Sequence, residues 1–386
     1  MRNLLCLFLA SLLVSGCAPL KKLGSAGDGS EKTGPAALVA FEQEVKITKL
    51  WSTNSLGEYR SINGGIRPVL AAGVIYAADS DGNVVAVDAD TGKQIWKKSL
   101  DTPLAGGVGL GGNLLVVAGT DGDVFALEAD TGEQRWSAWV TSEVLSSPAV
   151  NADVVVVQSH DGKLVGLHAS NGENRWQYEI DSPILTLRGT SPPVLSDEML
   201  IAGFANGKIV ALAADSGSLL WENRLAIPQG RTELERLIDI DGRAVLVDEV
   251  IYASSYQGRI GAIAKASGRG IWYQDSSTVH DLAYGLGQVY SVQKDDEVRA
   301  IRGNSGQTVW SNDQLRLRKL NSPATIEGYL AVADGDGYLH LLSQTDGRFV
   351  ARARVDGAGV TAPMIADGQK LYVQDNDGGL TAYQID

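Results

Sequence analysis

From residue 73 the chain falls into short runs that alternate inward and outward side chains, each closed by a turn. GVIYAAD (73–79) and NVVAVDA (83–89) both read as strands with a period of two, and KQIWKK follows a Thr-Gly turn as a third. The same stretch then recurs. DGNVVAVDADTGKQIW (81–96) is followed by DGDVFALEADTGEQRW (121–136) and DGKLVGLHASNGENRW (161–176). Strands of this length in a unit of about 40 residues predict a four-stranded antiparallel blade, and serial blades predict a propeller.

Aligning the copies fixes their number. The opening glycines are Gly82, Gly122, Gly162, Gly207, Gly258, Gly337 and Gly378, with Asp296 standing in for one. A second turn glycine follows at Gly92, Gly132, Gly172, Gly217, Gly268, Gly306 and Gly347, and a tryptophan at Trp96, Trp136, Trp176, Trp221, Trp272 and Trp310; the seventh copy has Ala351 there. Prolines at Pro68, Pro148, Pro193, Pro323 and Pro363 open further strands, where a missing N–H costs nothing. The eighth copy, 361–386, supplies three strands and lacks the tryptophan strand. VKITKLWS (45–52), with Trp51, supplies it from the other end of the chain. The expected fold is therefore all-β: an eight-bladed propeller over 45–386, its ring closed by the N-terminal strand. Tryptophans at this regularity read as wedges between blades.

Two units are longer than the rest. The extra residues, SPILTLRGTSPP (182–193) and IPQGRTELERLIDIDGR (227–243), fall at the same structural place on neighbouring blades and should rise from one face. Leu185 and Leu187 point together in an extended chain, with Arg188 opposite. They read either as an interface anchor or as side chains folded back on the blade. Thr232 and Glu235 form a capping box and predict a short helix at about 233–238. Asp239 and Asp241 would share one direction, as a solvated turn or as partners for Arg188 or for a binding protein's basic residues.

The first residues do not belong to the propeller. Arg2 followed by LLCLFLASLLV (4–14) is a secretory signal over 1–16, too short to span a bilayer. Residues 17–44 lie between this signal and the propeller, and their Gly, Ser, Lys and Ala from residue 18 onward read as a flexible tether. The sequence has two cysteines, Cys6 and Cys17, and neither lies in the propeller, so no disulfide or cysteine metal site is expected there. A net charge of −13 argues against nucleic acid. His160, His168, His280 and His340 read as variable decorations. DGDG (334–337) and DNDGG (375–379) lack the following glutamate of a calcium loop. No catalytic, metal or cofactor site is expected.

Three resemblances sharpen this reading. Val14-Ser15-Gly16-Cys17 resembles the lipobox of bacterial lipoproteins, which implies acylation of Cys17, and Ala18 after it implies sorting to the outer membrane. The run Ala86-Val-Asp-Ala-Asp-Thr-Gly-Lys-Gln-Ile-Trp96 resembles the quinoprotein-type propeller repeat. That repeat's namesake dehydrogenases are longer and carry a vicinal disulfide, for which this propeller has no cysteines. Lipobox, tether and bare blades together resemble, along the whole chain, the lipoprotein scaffold family of the outer-membrane β-barrel assembly machinery. LTLRG (185–189) and TELERLIDID (232–241) look like that family's segments. The resemblance implies a non-enzymatic periplasmic scaffold that binds the POTRA domains of BamA through Leu185, Leu187, Arg188, Asp239 and Asp241, and that helps deliver unfolded barrel precursors. The residues alone leave open a ligand-binding propeller lipoprotein using the central channel, or a quinone-dependent enzyme.

Overall fold

A computed structural model describes residues 34–60, 65–183, 185–196, 198–355 and 358–386. The signal segment, the lipobox and Cys17 lie outside the described residues.

Eight four-stranded antiparallel sheets follow one another along the chain. Blades 1 to 7 occupy residues 69–99, 104–139, 149–179, 194–224, 245–276, 283–312 and 324–354. In each, the first strand is innermost and the fourth outermost. Blade 8 takes three strands from 365–385 and its outer strand from Ile47–Thr53, which pairs antiparallel with Leu380–Ile385. The ring is thus closed by the N-terminal strand, and inter-strand hydrogen bonds replace what would be a bare edge.

Blade-to-blade packing is repetitive down to the atom. Each repeat tryptophan donates its indole N–H to a backbone carbonyl of the following blade, from Trp51 to Ala89 through Trp310 to Gln344, at 2.7 to 3.0 Å. The same ring lies on the following blade's second turn glycine. A Cβ on any of Gly92, Gly132, Gly172, Gly217, Gly268, Gly306 or Gly347 would come within 2.4 to 2.7 Å of it, and all seven have φ between +68° and +75°. Two demands therefore select glycine, a left-handed turn and a face that must be flat. Asp296, the stand-in at an opening turn, also takes a left-handed φ of +67°.

The seventh copy's Ala351 follows from the same rule. Its tryptophan would have to lie on blade 8's second turn glycine. Blade 8 has no such turn, because its outer strand arrives from residue 47 instead of continuing from the third. Fully buried Ala351 packs with Val350 and with Val45 of the incoming segment.

A bulge precedes every repeat tryptophan, and Ala351 in its place. In blade 1, Ala86 faces Trp96 while Val87 faces Gln94, so Ile95 is left out of register; the same shift recurs in each blade through Lys49 and Trp51. The bulge turns the indole inward and pushes its predecessor out. Ile95, Leu220, Ile271 and Leu50 are exposed for this reason, and a bulged outer strand is a poor template for edge pairing.

The packed body begins at Pro35, within the stretch expected to be a tether. Phe41 stacks on Phe349 with ring centroids 5.5 Å apart, and the Arg352 guanidinium lies 4.9 Å from the Phe41 ring. Arg318 and Arg352 donate to the carbonyls of Ala36 and Val39. These arginines lead back to His340, which is no surface decoration. It is fully buried. Arg352 Nε donates to its Nδ1 at 3.0 Å, so the proton sits on Nε2 and faces Asp334 Oδ2, also at 3.0 Å. Burial holds the imidazole below its ordinary pKa and neutral.

Candidate partner-docking site

Both insertions flank blade 4. The first joins the outer strand of blade 3 to the inner strand Val194–Ser196; the second leaves Leu219–Arg224 and enters blade 5 at Val245. They meet. The backbone N–H of Leu187 donates to Asp239 Oδ2 at 3.2 Å, and Ser191 Oγ donates to the Gly242 carbonyl at 3.1 Å. The second insertion is also laid down on blade 4. A Cβ at Gly203 would come within 2.2 Å of Ile240, and Leu237, Ile238 and Ile240 are all buried. Asp239 completes the link through its main chain, its carbonyl accepting from Tyr256 at 2.7 Å.

The five residues singled out from sequence therefore divide. Leu185 is 41% exposed and Arg188 projects into solvent, while Leu187 is half-buried. Asp239 and Asp241 are buried, which corrects the expectation of a solvated or partner-facing acidic pair. Nor does either aspartate meet Arg188, whose guanidinium pairs with Glu143, on the loop between blades 2 and 3, at 2.8 Å. The expected helix at 233–238 is also corrected. The capping box forms, with Glu235 N–H on Thr232 Oγ1 at 3.2 Å and Thr232 N–H on Glu235 Oε2 at 3.1 Å. Only one turn is built, closed by Arg236 N–H on the Thr232 carbonyl, because the chain must then extend to bury Leu237, Ile238 and Ile240. That turn presents Leu234, 70% exposed, which the sequence reading passed over. Its signal was a leucine inside a capped polar turn, too short for a helix to hide it.

The buried aspartates have a definite charge preference. Asp239 is raised well above the ordinary carboxyl range by loss of water and by the neighbouring Asp241. Asp241 is pushed up to about 7 by burial, and neither of its oxygens finds a hydrogen-bond partner among the described residues. Such a group prefers its neutral form. Asp239 holds the first insertion by accepting from Leu187, which a neutral carboxyl oxygen also does.

Nothing in this site resembles catalytic machinery, and among the described residues no group of three or more His, Cys, Asp or Glu could hold a metal ion. Closed ring, bulged outer strands and two apposed surface insertions define a propeller built to present a surface. The sequence model of the family described as "Outer membrane protein assembly factor BamB" matches residues 36–103, 80–312 and 294–386. The outer membrane protein assembly factor BamB of Pseudomonas aeruginosa is 48% identical over 366 residues, covering 95% of this chain and 96% of the relative. That of Escherichia coli is 36% identical over 388 residues, with 98% and 97% covered. The crystal structure of BamB from Moraxella catarrhalis superposes with a TM-score of 0.80 at 29% identity, covering 88% of this chain and all of the other. The chain belongs to the BamB family. A quinohemoprotein alcohol dehydrogenase from Comamonas testosteroni, at 15% identity and a TM-score of 0.71, shares the propeller fold alone.

Proposed function

We propose that the chain is a non-enzymatic scaffold of the outer-membrane β-barrel assembly machinery. Acyl chains on Cys17 hold it to the outer membrane with the propeller in the periplasm. It docks the POTRA domains of BamA through the two insertions flanking blade 4 and so supports the folding of barrel precursors. The observation that carries this reading is the Leu187–Asp239 hydrogen bond. It locks two loops from different blade junctions into one surface that leaves Leu185, Arg188 and Leu234 in solvent. Exposed apolar side chains beside an oriented arginine are what an interface anchor requires. Leu185 and Arg188 are the contacts, and Asp239 acts from beneath as a positioning residue through Leu187.

Co-purification of BamA with the tagged, membrane-extracted lipoprotein tests the proposal. Leu185→Asp combined with Arg188→Glu should abolish BamA recovery with the propeller still folded. Recovery equal to the parent's rules out this surface. Cys17→Ala should block lipidation and leave the precursor uncleaved, while its propeller still binds POTRA domains, which separates the acyl anchor from the dock.

A further inference from the structure

The ring encloses a cavity of about 630 Å³, lined by the inner-strand starts of blades 1, 4, 5, 6, 7 and 8. A second space of about 270 Å³ adjoins it, shares Arg67, Val69, Leu195 and Arg243, and adds blades 2 and 3. Together the two involve all eight blades, so this is the propeller's central channel. Most residues on its wall are aliphatic, although polar and backbone groups make up about half of the surface it exposes. Among the described residues that line it, three are charged.

Arg67, from the start of blade 1, reaches Asp281, at the start of blade 6, with Nη1 2.6 Å and Nη2 3.4 Å from the two carboxylate oxygens. Asp281 also accepts the backbone N–H of Arg243 at 2.7 Å. The carboxylate is thus fully engaged, and the two arginines hold it below the usual carboxylate range against the opposing loss of water around it. The Arg243 side chain is different. Its guanidinium forms no hydrogen bond or ion pair among the described residues, although it lines both spaces and is reached by water. His280, beside Asp281, is held down to about 4 by burial and adds no charge. Arg67 and Asp281 cancel, so the channel carries one uncompensated positive charge in a molecule whose formal net charge is −13.

We propose that the channel binds a small organic monoanion, a carboxylate on an apolar body, with the carboxylate on Arg243. A guanidinium presents paired donors that match both carboxylate oxygens, and inside a channel such a pair is stronger than at the surface. Aliphatic side chains on the wall, among them Val69, Leu195, Val245 and Ile365, take the apolar part, and the volume suits a small ligand. A single net positive charge matches a monoanion, whereas a dianion would leave charge uncompensated within an acidic protein.

Isothermal titration of benzoate into the lipoprotein held in lipid nanodiscs, with empty discs subtracted, tests this. Benzoate should bind, its neutral isostere benzamide and inorganic phosphate should bind at least tenfold more weakly, and acetate should be weaker than benzoate. Arg243→Gln should lose at least tenfold in benzoate affinity with the protein still folding cooperatively, since its guanidinium has no hydrogen bond among the described residues to lose and only a longer-range attraction to Asp281. Arg243→Lys, which keeps the charge without the paired donors, should fall between. No benzoate binding up to about 10 mM, a Kd ceiling near −3 kcal/mol, overturns the proposal. Equal binding by Arg243→Gln overturns it as well, and phosphate binding as tight as benzoate overturns the monocarboxylate assignment.

Discussion

The Leu187 amide donates to the Asp239 carboxyl at 3.2 Å, across two insertions that leave the ring at different blade junctions. A contact between residues 52 positions apart turns two loops into one presented surface. It also gives Asp239 a structural role, and the burial of Asp239 and Asp241 has consequences for pH, salt and mutation.

Asp241 should make the protein less stable as pH rises. Its folded pKa, about 7, lies above the ordinary carboxyl value of 3.8. Between these values the folded state retains a proton that the unfolded state has released, so stability is full below about pH 4, declines up to about pH 7 and is level above. Asp241→Asn removes the titration. Urea unfolding should show it more stable than the parent at pH 8, by on the order of 1–4 kcal/mol, and nearly equal to it at pH 4.

The tryptophan–glycine wedge should penalise any side chain on the turn. Gly132→Ala puts a Cβ 2.7 Å from the Trp96 ring at a φ of +73°, whereas at Gly112, φ +58°, a Cβ meets nothing within 4 Å. Gly112→Ala should cost about 1 kcal/mol of backbone strain, and Gly132→Ala about 2–4 kcal/mol once overpacking is added. Equal losses for the two in equilibrium unfolding would contradict the wedge.

Ala351→Trp, which restores the repeat consensus, should destabilise the protein by at least 1–3 kcal/mol. No turn glycine on blade 8 receives the ring, and Ala351 is already buried against Val45 and Val350. A raised unfolding temperature would show that the consensus outranks the local geometry.

Shortening the N-terminus should separate tether from body. A chain starting at Pro35 should melt with the parent. One starting at Val45 loses Phe41 from Phe349 and the carbonyls held by Arg318 and Arg352, and should melt several degrees lower. One starting at Asn54 lacks the closing strand and should lose cooperative unfolding altogether.

Blade number and ring closure were legible in the chain because turn glycine, tryptophan and strand length are local, and they recur. The seventh copy's alanine was visible too, but its reason was not, since it needs the knowledge of which glycine each indole covers. Burial of Asp239 and Asp241 could not be read, because it depends on the second insertion folding over Gly203 on blade 4. His340 escaped for a similar reason. Its environment is completed by Arg352 and, through that arginine, by the segment around Val39, some three hundred residues earlier in the chain.

The affinity of purified POTRA domains of BamA for this propeller, measured at low and high salt, tests the account most directly. Leu185→Asp should weaken binding by about thirtyfold or more, as for an interface hot spot of about 2 kcal/mol. Asp239→Ala should weaken it through the freed Leu187 loop, and Asp239→Asn, whose amide oxygen still accepts from Leu187, should recover most of the loss. Because Asp239 is buried, its effect should be the same at both salt concentrations. Parent-like binding by Leu185→Asp and Asp239→Ala, both folded, would contradict the account, and an Asp239 effect that fades in high salt would return that residue to the surface as a direct contact.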